Sequence, residues 1–478
     1  MIKEESLSEY YISIILVLTL HWDISYLSLF FILPISGLSI RNRPFIVSKI
    51  MSKKIRLIPF AILVLSFVSA EFIYYSAAEP IINDPNLKAE IVYKGIDFPT
   101  SMAFLNSDEI LVLEKNNGIV RRIVNGMSLS EPLLDVNVAN ANERGLLGIA
   151  VAKNDGNTTI VFLYYTESKE MDGNDDCPTP TDCKKGNDPL GNRLYRYELI
   201  DDKLTNPKLL LDLPTKPGPA HNGGVITLGP DNNVYLVIGE LTSMGTQASN
   251  VQNGSAPDGR GGILRVTQNG GVVEGILSNT TLLNLYYAYG IRNSFGMDFD
   301  PLSGNLWDTE NGPDNADEIN LVKPGFNSGW SKVQGIWEVK DAFGSNTVLE
   351  PDNLTDFNGK GRYSVPKFIW NNTVAPTAVK FLTSDKLGTQ YESDLFIGDA
   401  NNGNIYRFDL NNDRTELVLQ GQLTDKVADN ISENQDIIWG KGFGIITDIQ
   451  IGPEGYLYIL SINLPQGRGT IFRIVPVI

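Results

Sequence analysis

Short stretches in which apolar and polar residues alternate recur along the chain and predict an all-β architecture. One phrase returns six times: an apolar-alternating strand, a turn and a second apolar strand. The six copies begin at Met102, Gly148, Val225, Gly296, Thr377 and Thr447. Alternation with period two is typical of half-buried strands, and the Gly-Pro-Asp and Gly-Pro-Glu turns at 229–231 and 452–454 favour hairpins. No long run has helical periodicity after residue 80, so the pattern predicts strands throughout.

A third apolar strand follows each copy. These strands are GIVRRI at 118, NRLYRY at 192, GGILRV at 261, DEINLV at 317, GNIYRF at 403 and GTIFRI at 469. Fourth strands are predicted at PLLDV (132), KLLLDL (208) and ELVLQ (416). The copies start roughly 45 to 80 residues apart, which suits four-stranded blades with insertions of variable length. The repeat therefore predicts a six-bladed β-propeller of four-stranded antiparallel blades.

A spare strand stands before the first copy, whereas the last copy is not followed by a fourth strand. This spare strand is AEIVYKG at 89–95. We expect it to pair with the last blade and close the ring, because a closed ring leaves no long open sheet edge.

Two apolar stretches precede the repeat. The second, in residues 51–80, has the order of a signal peptide: basic residues at 53, 54 and 56, an apolar run, then small residues. Met51 stands just before it, so residues 1–50 are interpreted as an upstream extension. The alternative is a membrane segment over residues 10–39, although His21, Trp22 and Asp23 interrupt that run. An uncleaved 51–80 segment would be an N-terminal anchor. Each interpretation places the propeller domain, residues 85–478, in an extracellular or periplasm-like space.

The chain is acidic and contains two cysteines. Its formal net charge is −17, and there is no basic patch, which excludes nucleic acid as a partner. Cys177 and Cys183 lie in a polar stretch without a nearby histidine, so they cannot form a tetrahedral zinc site. In an exported protein this pair predicts a short-loop disulfide, and two free surface thiols are the alternative.

The first candidate for chemistry is His221, the only histidine after residue 21. It stands in PAHNGGVITLGP, on a loop just before a first strand. An imidazole in that place is suited to act as a general base near neutral pH. The alternative is a loop histidine whose ring bonds a backbone carbonyl.

Charged residues hold corresponding places before two other copies. Arg292 and Asn293 precede the fourth copy, and an arginine fork suits carboxylates or a quinone oxygen. The alternative is an arginine that bonds carbonyls at the propeller centre. Glu143 stands just ahead of the second copy. Because such loops meet at one mouth of a ring, their convergence predicts a site there.

The phrase TENGPDNADEIN crowds acidic residues around a Gly-Pro turn. Its acidic side chains are Glu310, Asp314, Asp317 and Glu318, and Asn311, Gly312 and Pro313 lie between them. Carboxylates and free carbonyls in such a turn are hard oxygen ligands that suit Ca²⁺. The alternative is a solvated acidic loop.

Taken in order, six phrases resemble the glucose/sorbosone dehydrogenase family of soluble pyrroloquinoline-quinone sugar dehydrogenases. They are ERGLLGIAV, AHNGG, GRGGILR, YGIRNSFG, TENGPDNADEINL and GFNSGW, and the resemblance covers about residues 88–478. It implies oxidation of the anomeric carbon of an aldose to a lactone, with hydride passing to pyrroloquinoline quinone (PQQ) polarised by calcium. The electron acceptor beyond the quinone is not implied. A membrane contact would come only through an uncleaved N-terminal segment.

The resemblance also implies roles for individual residues. His221 matches the base that takes the proton of the anomeric hydroxyl, and Glu143 matches a residue that faces the substrate. The implied cofactor-binding residues are Arg292, which also takes part in catalysis, Asn293, Asn311, Asn401 and Thr447. The implied calcium ligands are the carbonyls of Gly312 and Pro313, with Glu318 at a structural ion.

The sequence departs from the family at the cations that hold the cofactor's carboxylates. Where members carry a lysine or arginine in the fifth blade, this chain has Asn401 and Asn402, and in the last blade it has Ile445 and Thr447. A lost charge-assisted hydrogen bond costs roughly 1.5–3 kcal/mol. These departures motivate an alternative function, a non-catalytic extracellular binding propeller that has lost the quinone. A third interpretation is a calcium-dependent lactonase-type hydrolase.

Overall fold

The computed structural model describes residues 16–17, 30–31, 79–153, 158–169, 188–339, 351–464 and 466–477. The chain divides into two units, Met1–Tyr75 and Ser76–Ile478. In the first unit, Leu16–Val17 pairs antiparallel with Phe30–Phe31. The predicted disulfide at Cys177 and Cys183 lies outside the described residues, as do nearly all residues of the predicted extension and signal peptide. Within these described ranges, no helix is long and apolar enough to cross a membrane.

Every copy of the repeat forms an antiparallel hairpin, and each hairpin lies in a sheet of its own, named A to F in chain order. Sheet A contains Pro99–Asn106, Glu109–Glu114, Ile119–Val124, Met127–Ser128 and Leu134–Asp135. Sheet B contains Leu146–Lys153, Thr159–Ser168, Pro189–Ile200 and Lys203–Leu213. Sheet C contains Ile226–Leu228, Asn233–Ile238, Gly262–Thr267, Tyr286–Tyr289, Phe326–Asn327 and Arg362–Tyr363.

The remaining sheets follow the same plan. Sheet D contains Gly296–Phe299, Leu306–Glu310, Asn315–Val322, Phe368–Asn372 and Val427–Ala428. Sheet E contains Pro376–Phe381, Leu395–Asp399, Asn404–Phe408, Ile438–Lys441 and Ile81–Ile82. Sheet F contains Ile445–Ile451, Leu457–Asn463, Arg468–Pro476 and Leu87–Asp97. Outside these sheets, Val333–Gln334 pairs with Trp337–Glu338, and the described 3₁₀ turns are Gln247–Ser249, Leu283–Leu285, Thr389–Tyr391, Gly421–Asp425 and Glu433–Asp436.

The prediction of uniform four-stranded antiparallel blades is wrong for several sheets. Sheets C and D are extended by two-residue strands that pair in parallel, such as Phe326–Asn327 and Val427–Ala428. The predicted fourth strand ELVLQ is also wrong, because Ile438–Lys441 takes that place in sheet E. Long connections run past the outer sheet edges here, and short segments of them satisfy backbone groups that would otherwise stay unpaired.

The first strands of the sheets lie next to one another. Those of successive sheets are in contact from A to F, and the first strand of sheet F contacts that of sheet A. The strand Leu87–Asp97 pairs antiparallel along Arg468–Pro476, so an N-terminal segment completes sheet F. The architecture is an all-β propeller.

The core lies between neighbouring sheets. Six apolar clusters form there, each drawn mainly from two adjacent sheets. The second strands are buried on both faces because each is covered by a sheet on either side, as in Glu109–Glu114. This double burial explains why the second strands are continuous apolar runs while the third strands alternate. The rigid inner strands fix the loops that precede them.

Candidate active site at the mouth of the inner strands

A cavity of about 240 Å³ opens where the inner strands begin. The first strand of every sheet, or the residue just before it, contributes to the lining: Ser101, Leu147, Val225, Phe295, Thr377 and Thr447. Its charged lining residues are Lys115, Glu143 and Asp448. Two larger cavities, of about 360 and 820 Å³, lie farther along the same strands. In both of these cavities Lys380 forms an ion pair with Asp298 at 3.2 Å.

His221 does not line this cavity itself, but its backbone bonds the lining residue Glu143, and its ring is paired with a buried carboxylate. Its Nδ1 lies 2.5 Å from Oε1 of Glu240, whose side chain is only 2% exposed. A carboxylate can only accept, so Nδ1 carries a proton, and the lone pair of the neutral form of the ring is on Nε2. The imidazole is 15% exposed, which leaves it accessible. The ring bonds an acid rather than a backbone carbonyl, and this arrangement is that of an oriented general base.

Glu143 connects its own loop with the loops that carry His221 and Asn293. Its Oε2 accepts hydrogen bonds from the backbone N–H of His221 at 2.7 Å and of Asn222 at 3.2 Å. The Nδ2 of Asn293 donates to the same oxygen at 3.1 Å. His221 has a φ of +63°, in the left-handed region that costs a non-glycine residue energy. The bond to Glu143 helps to hold this conformation and so fixes the histidine.

The loops of sheets C and D approach each other at Gly239. A Cβ there would lie 2.5 Å from the carbonyl oxygen of His221 and 2.7 Å from that of Arg292. Only glycine allows this approach, and it lets the backbone N–H of Glu240 donate to the Arg292 carbonyl at 3.0 Å. The histidine and the arginine are therefore held side by side.

Arg292 is anchored by the acidic turn of sheet D. Its Nη1 donates to the Asn311 carbonyl at 2.8 Å, its backbone N–H donates to Oε1 of Glu310 at 2.6 Å, and its guanidinium lies over the Trp330 ring. The alternative of an arginine that bonds a carbonyl is thus correct in part. Burial lowers its pKa, but an arginine stays charged at physiological pH. The Oδ1 of Asn311 is buried and has no partner within the described residues.

Most of the acidic turn is not solvated. Glu310, Asp317 and Glu318 are buried, and among the acids of this phrase only Asp314 is exposed. Burial raises the pKa of Glu310 to about 7 and that of Asp317 to about 6. Both Asp317 oxygens accept backbone hydrogen bonds, including one from Gly312 at 2.8 Å. This carboxylate therefore shapes the Gly-Pro turn rather than facing solvent.

Glu318 lies behind the turn, opposite Glu310 on the neighbouring strand. It accepts hydrogen bonds from Gln334 at 2.8 Å and from the Gly335 backbone at 2.5 Å. Asp308 is fully buried nearby, and neither of its oxygens has a hydrogen-bond partner in the described structure. Burial, together with the nearby charge of Glu310, raises the pKa of Asp308 well above its usual range.

The structure brings some of the predicted site residues together and leaves others apart. Contacts connect Glu143, His221, Arg292, Asn293 and Asn311, while Thr447 lines the same cavity as Glu143. The turn at Gly312 is buried and Pro313 is exposed. Asn401 is exposed, and its amide bonds the Thr373 carbonyl at 3.1 Å instead of lining the cavity. The loop before Asn401 directs it outward.

Two residues in the site were missed by sequence reasoning, Glu240 and Lys115. Both stand at the ends of second strands, in VYLVIGE and EILVLEK. A hairpin returns the end of its second strand to the edge where its first strand begins, so this position was a usable signal. The sequence analysis considered only the loops before the first strands and therefore did not include these two residues.

Comparisons with known proteins identify the family of the chain. The sequence profile described as Glucose / Sorbosone dehydrogenase matches residues 96–472. Aldose sugar dehydrogenase YliI of Escherichia coli is 24% identical over 407 residues, which cover 82% of this chain and 93% of that protein. Quinoprotein glucose dehydrogenase B of Acinetobacter calcoaceticus is 26% identical over 267 residues, 52% of this chain and 53% of that protein.

Solved structures share the fold. A crystal structure of a glucose dehydrogenase has a TM-score of 0.63 at 21% identity and covers 82% of this chain and 100% of its own. The apo-form of the soluble aldose sugar dehydrogenase from Escherichia coli has a TM-score of 0.61 at 22% identity, with coverages of 82% and 100%. The PQQ-bound aldose sugar dehydrogenase from Streptomyces coelicolor has a TM-score of 0.56 at 21% identity, with coverages of 82% and 99%. At these identities the likeness establishes the fold alone.

Proposed function

Because the chain belongs to the glucose/sorbosone dehydrogenase family, we propose that it oxidises the anomeric carbon of an aldose to a lactone. PQQ, with a calcium ion as Lewis acid, supplies the hydride acceptor when bound. The observation that carries the proposal is the His221–Glu240 pair beside Arg292, bonded through His221 to the cavity-lining Glu143.

His221 acts as the base in this proposal. Its Nε2 takes the proton of the anomeric hydroxyl while the C–H electron pair leaves as hydride. The imidazolium that forms is stabilised by the buried charge of Glu240, which keeps the ring in one orientation. Glu143 is held by the backbone of the same loop and accepts a hydrogen bond from a sugar hydroxyl.

The residues of the site fit the quinone ring better than they fit the carboxylates of the cofactor. Arg292 offers a guanidinium next to the histidine, and the unpartnered Oδ1 of Asn311 is an acceptor for a ring N–H or a bridging water. Asn293 and Thr447 complete this side in our proposal. The exposed Asn401 does not fit a carboxylate of the cofactor, and Thr447 in the cavity lining is uncharged.

A calcium ion fits the Gly-Pro turn through backbone oxygens. In the described ranges, no group of three or more His, Cys, Asp or Glu side chains is arranged to hold a metal ion. The carbonyls of Gly312 and Pro313 are the proposed ligands at the cofactor. A second, structural ion would use Glu318, and the unpartnered carboxylate of Asp308 supports that assignment.

We further propose that sheets A to F are six blades of one closed ring. The contact between the first strands of sheets F and A supports this arrangement, as does the pairing of Leu87–Asp97 with Arg468–Pro476. The same proposal places the domain in an extracellular or periplasm-like space, on the strength of the signal-peptide pattern in residues 51–80. A disulfide between Cys177 and Cys183 belongs to that setting.

Titration of the purified propeller with PQQ tests the function directly. In the presence of Ca²⁺ we expect binding in the micromolar range or tighter, followed by aldose-dependent reduction of an artificial acceptor. Binding should weaken when Ca²⁺ is replaced by a chelator, because the ion neutralises charge next to the cofactor. The measurement is calorimetric, with glucose-type and pentose sugars compared in the turnover assay.

The competing function is an extracellular binding propeller without the quinone. The uncharged Thr447 in the cavity lining and the exposed Asn401 favour it. Absence of PQQ binding at micromolar concentrations with Ca²⁺ present would establish this alternative and overturn the dehydrogenase proposal.

Glu240→Gln is expected to lower turnover roughly 10- to 100-fold, because the amide keeps the hydrogen bond to Nδ1 but not the charge that stabilises an imidazolium. PQQ affinity should stay unchanged. Glu167→Gln is the control, since Glu167 is a partly buried glutamate that bonds Arg193 at 2.8 Å and has no contact with the histidine. Equal turnover of the Glu240 variant and wild type would remove Glu240 from the mechanism.

A further inference from the structure

Lys115 adds a positive charge to the cavity wall next to Glu143. It follows directly after the strand Glu109–Glu114 of sheet A. Its ammonium donates to Oδ1 of Asn116 at 2.9 Å and to the carbonyl of Asn140 at 3.2 Å. A lysine ammonium has three N–H donors. The third therefore has no partner among the residues that the structure describes and is available to a ligand.

The position of Lys115 relative to Glu143 is fixed by the backbone. Its N–H donates to the Phe98 carbonyl at 3.0 Å, and its carbonyl accepts from the Leu146 N–H at 2.9 Å. A Cβ at Gly145 would lie 2.4 Å from the Lys115 carbonyl oxygen and 2.8 Å from its Cγ. With a φ of +135°, Gly145 is also in a conformation that side chains disfavour. The turn that carries Glu143 thus packs directly on Lys115.

Glu143 offers the complementary group. Its Oε2 already accepts three N–H bonds, whereas its Oε1 accepts none from the described residues. The wall therefore presents a carboxylate acceptor and an ammonium donor side by side. Neighbouring hydroxyls of a sugar match such a pair, because one hydroxyl donates to the carboxylate and the next accepts from the ammonium.

We propose that Lys115 is a substrate-binding residue that, together with Glu143, holds two adjacent hydroxyl groups of the sugar. This inference rests on the proposed function, which supplies the sugar. It adds a specificity-determining residue to the site, because only sugars with both hydroxyls in the matching orientation satisfy both charged groups.

The surroundings of Lys115 make its charge sensitive to pH. Glu114 is paired with Arg121 at 3.0 Å, and Arg144 donates to the Thr215 carbonyl at 2.5 Å, so both neighbouring charges are committed elsewhere. Burial lowers the pKa of Lys115 to about 8, and the charge of Glu143 acts in the opposite direction. Since the neutral amine is a weaker donor, sugar affinity should fall as the pH rises through about 8.

Calorimetric titration of an aldose and its monodeoxy analogues tests the proposal on protein prepared without quinone, where no turnover occurs. Lys115→Met should weaken binding of the parent sugar roughly 10- to 100-fold. For one deoxy analogue, which lacks the hydroxyl that Lys115 binds, the variant and wild type should bind equally. Lys115→Arg should retain binding and lose the pH dependence near 8. Lys94→Met removes the same charge from an exposed site and serves as the control.

Two outcomes would overturn the proposal. Lys115→Met could weaken every analogue equally and leave the pH dependence intact, which would mean that Lys115 only supports the turn. It could instead weaken PQQ binding and leave sugar binding unchanged, which would make it a cofactor ligand. The proposed function is judged separately by acceptor reduction. Wild type that binds sugar without oxidising it would overturn that function alone, and wild type that neither binds sugar nor reduces the acceptor would overturn both.

Discussion

His221→Gln is expected to reduce turnover roughly 10²–10⁴-fold, the usual contribution of one general base. Glutamine keeps the size and hydrogen bonding of the side chain but cannot accept the proton near neutral pH. Glu143 bonds the backbone N–H of residue 221 rather than the ring, so the loop should keep its place. Steady-state turnover of an aldose with an artificial acceptor, after reconstitution with PQQ and Ca²⁺, is the measurement.

The affinity of the His221 variant for PQQ is the internal control. It should barely change, because the proposed role of the ring is toward the sugar and not toward the quinone. His221→Asn is a useful second variant, since asparagine tolerates the left-handed backbone at this position better than most residues. Wild-type turnover by either variant, with quinone bound, would show that His221 is not the base even though the family membership stands.

Arg292→Ala is expected to weaken PQQ binding and also to reduce turnover, by roughly 10²–10³-fold, as removal of a charge-stabilising donor does at comparable sites. The side chain is held between the Asn311 carbonyl and the Trp330 ring, and its backbone N–H bonds Glu310. Substitution leaves that backbone bond in place. The loss should therefore report the guanidinium itself, measured as both a dissociation constant and a turnover number.

Arg265→Ala provides the matched comparison for Arg292. Arg265 also lies over an aromatic ring, that of Tyr287, but its guanidinium donates to the Glu274 carbonyl at 3.0 Å rather than to the acidic turn. It should leave both PQQ affinity and turnover unchanged. Unchanged PQQ binding in the Arg292 variant would mean that the arginine only braces the acidic turn.

The periodic pattern was sufficient to predict the strands but not their lateral partners. Every first-to-second strand pairing was predictable, because a hairpin depends on neighbouring residues and a short turn. The strand pairings at the outer edges of the sheets were not predictable. Whether ELVLQ or Ile438–Lys441 pairs beside Asn404–Phe408 depends on how a long insertion runs across the surface, and that information is not local.

The candidate site divides in the same way. His221, Arg292, Asn293 and Glu143 could be identified from residue type and their place before inner strands, and these four lie together in the structure. Whether Asn401 faces the cavity could not be predicted, because this depends on the conformation of an exposed loop. In the structure its side-chain amide donates to the Thr373 carbonyl, outside the cavity lining.

The sequence by itself therefore determined the hairpins, the propeller and the family, since alternation, turn residues and motif order are all read along the chain. Only the tertiary structure decided that Glu240 orients His221 and that Glu143 binds the backbone of the histidine loop. It also decided that Lys115 and Glu143 line the same cavity. Those contacts join residues far apart in sequence. They depend on burial and on close backbone approaches such as the one at Gly239, which no local pattern records.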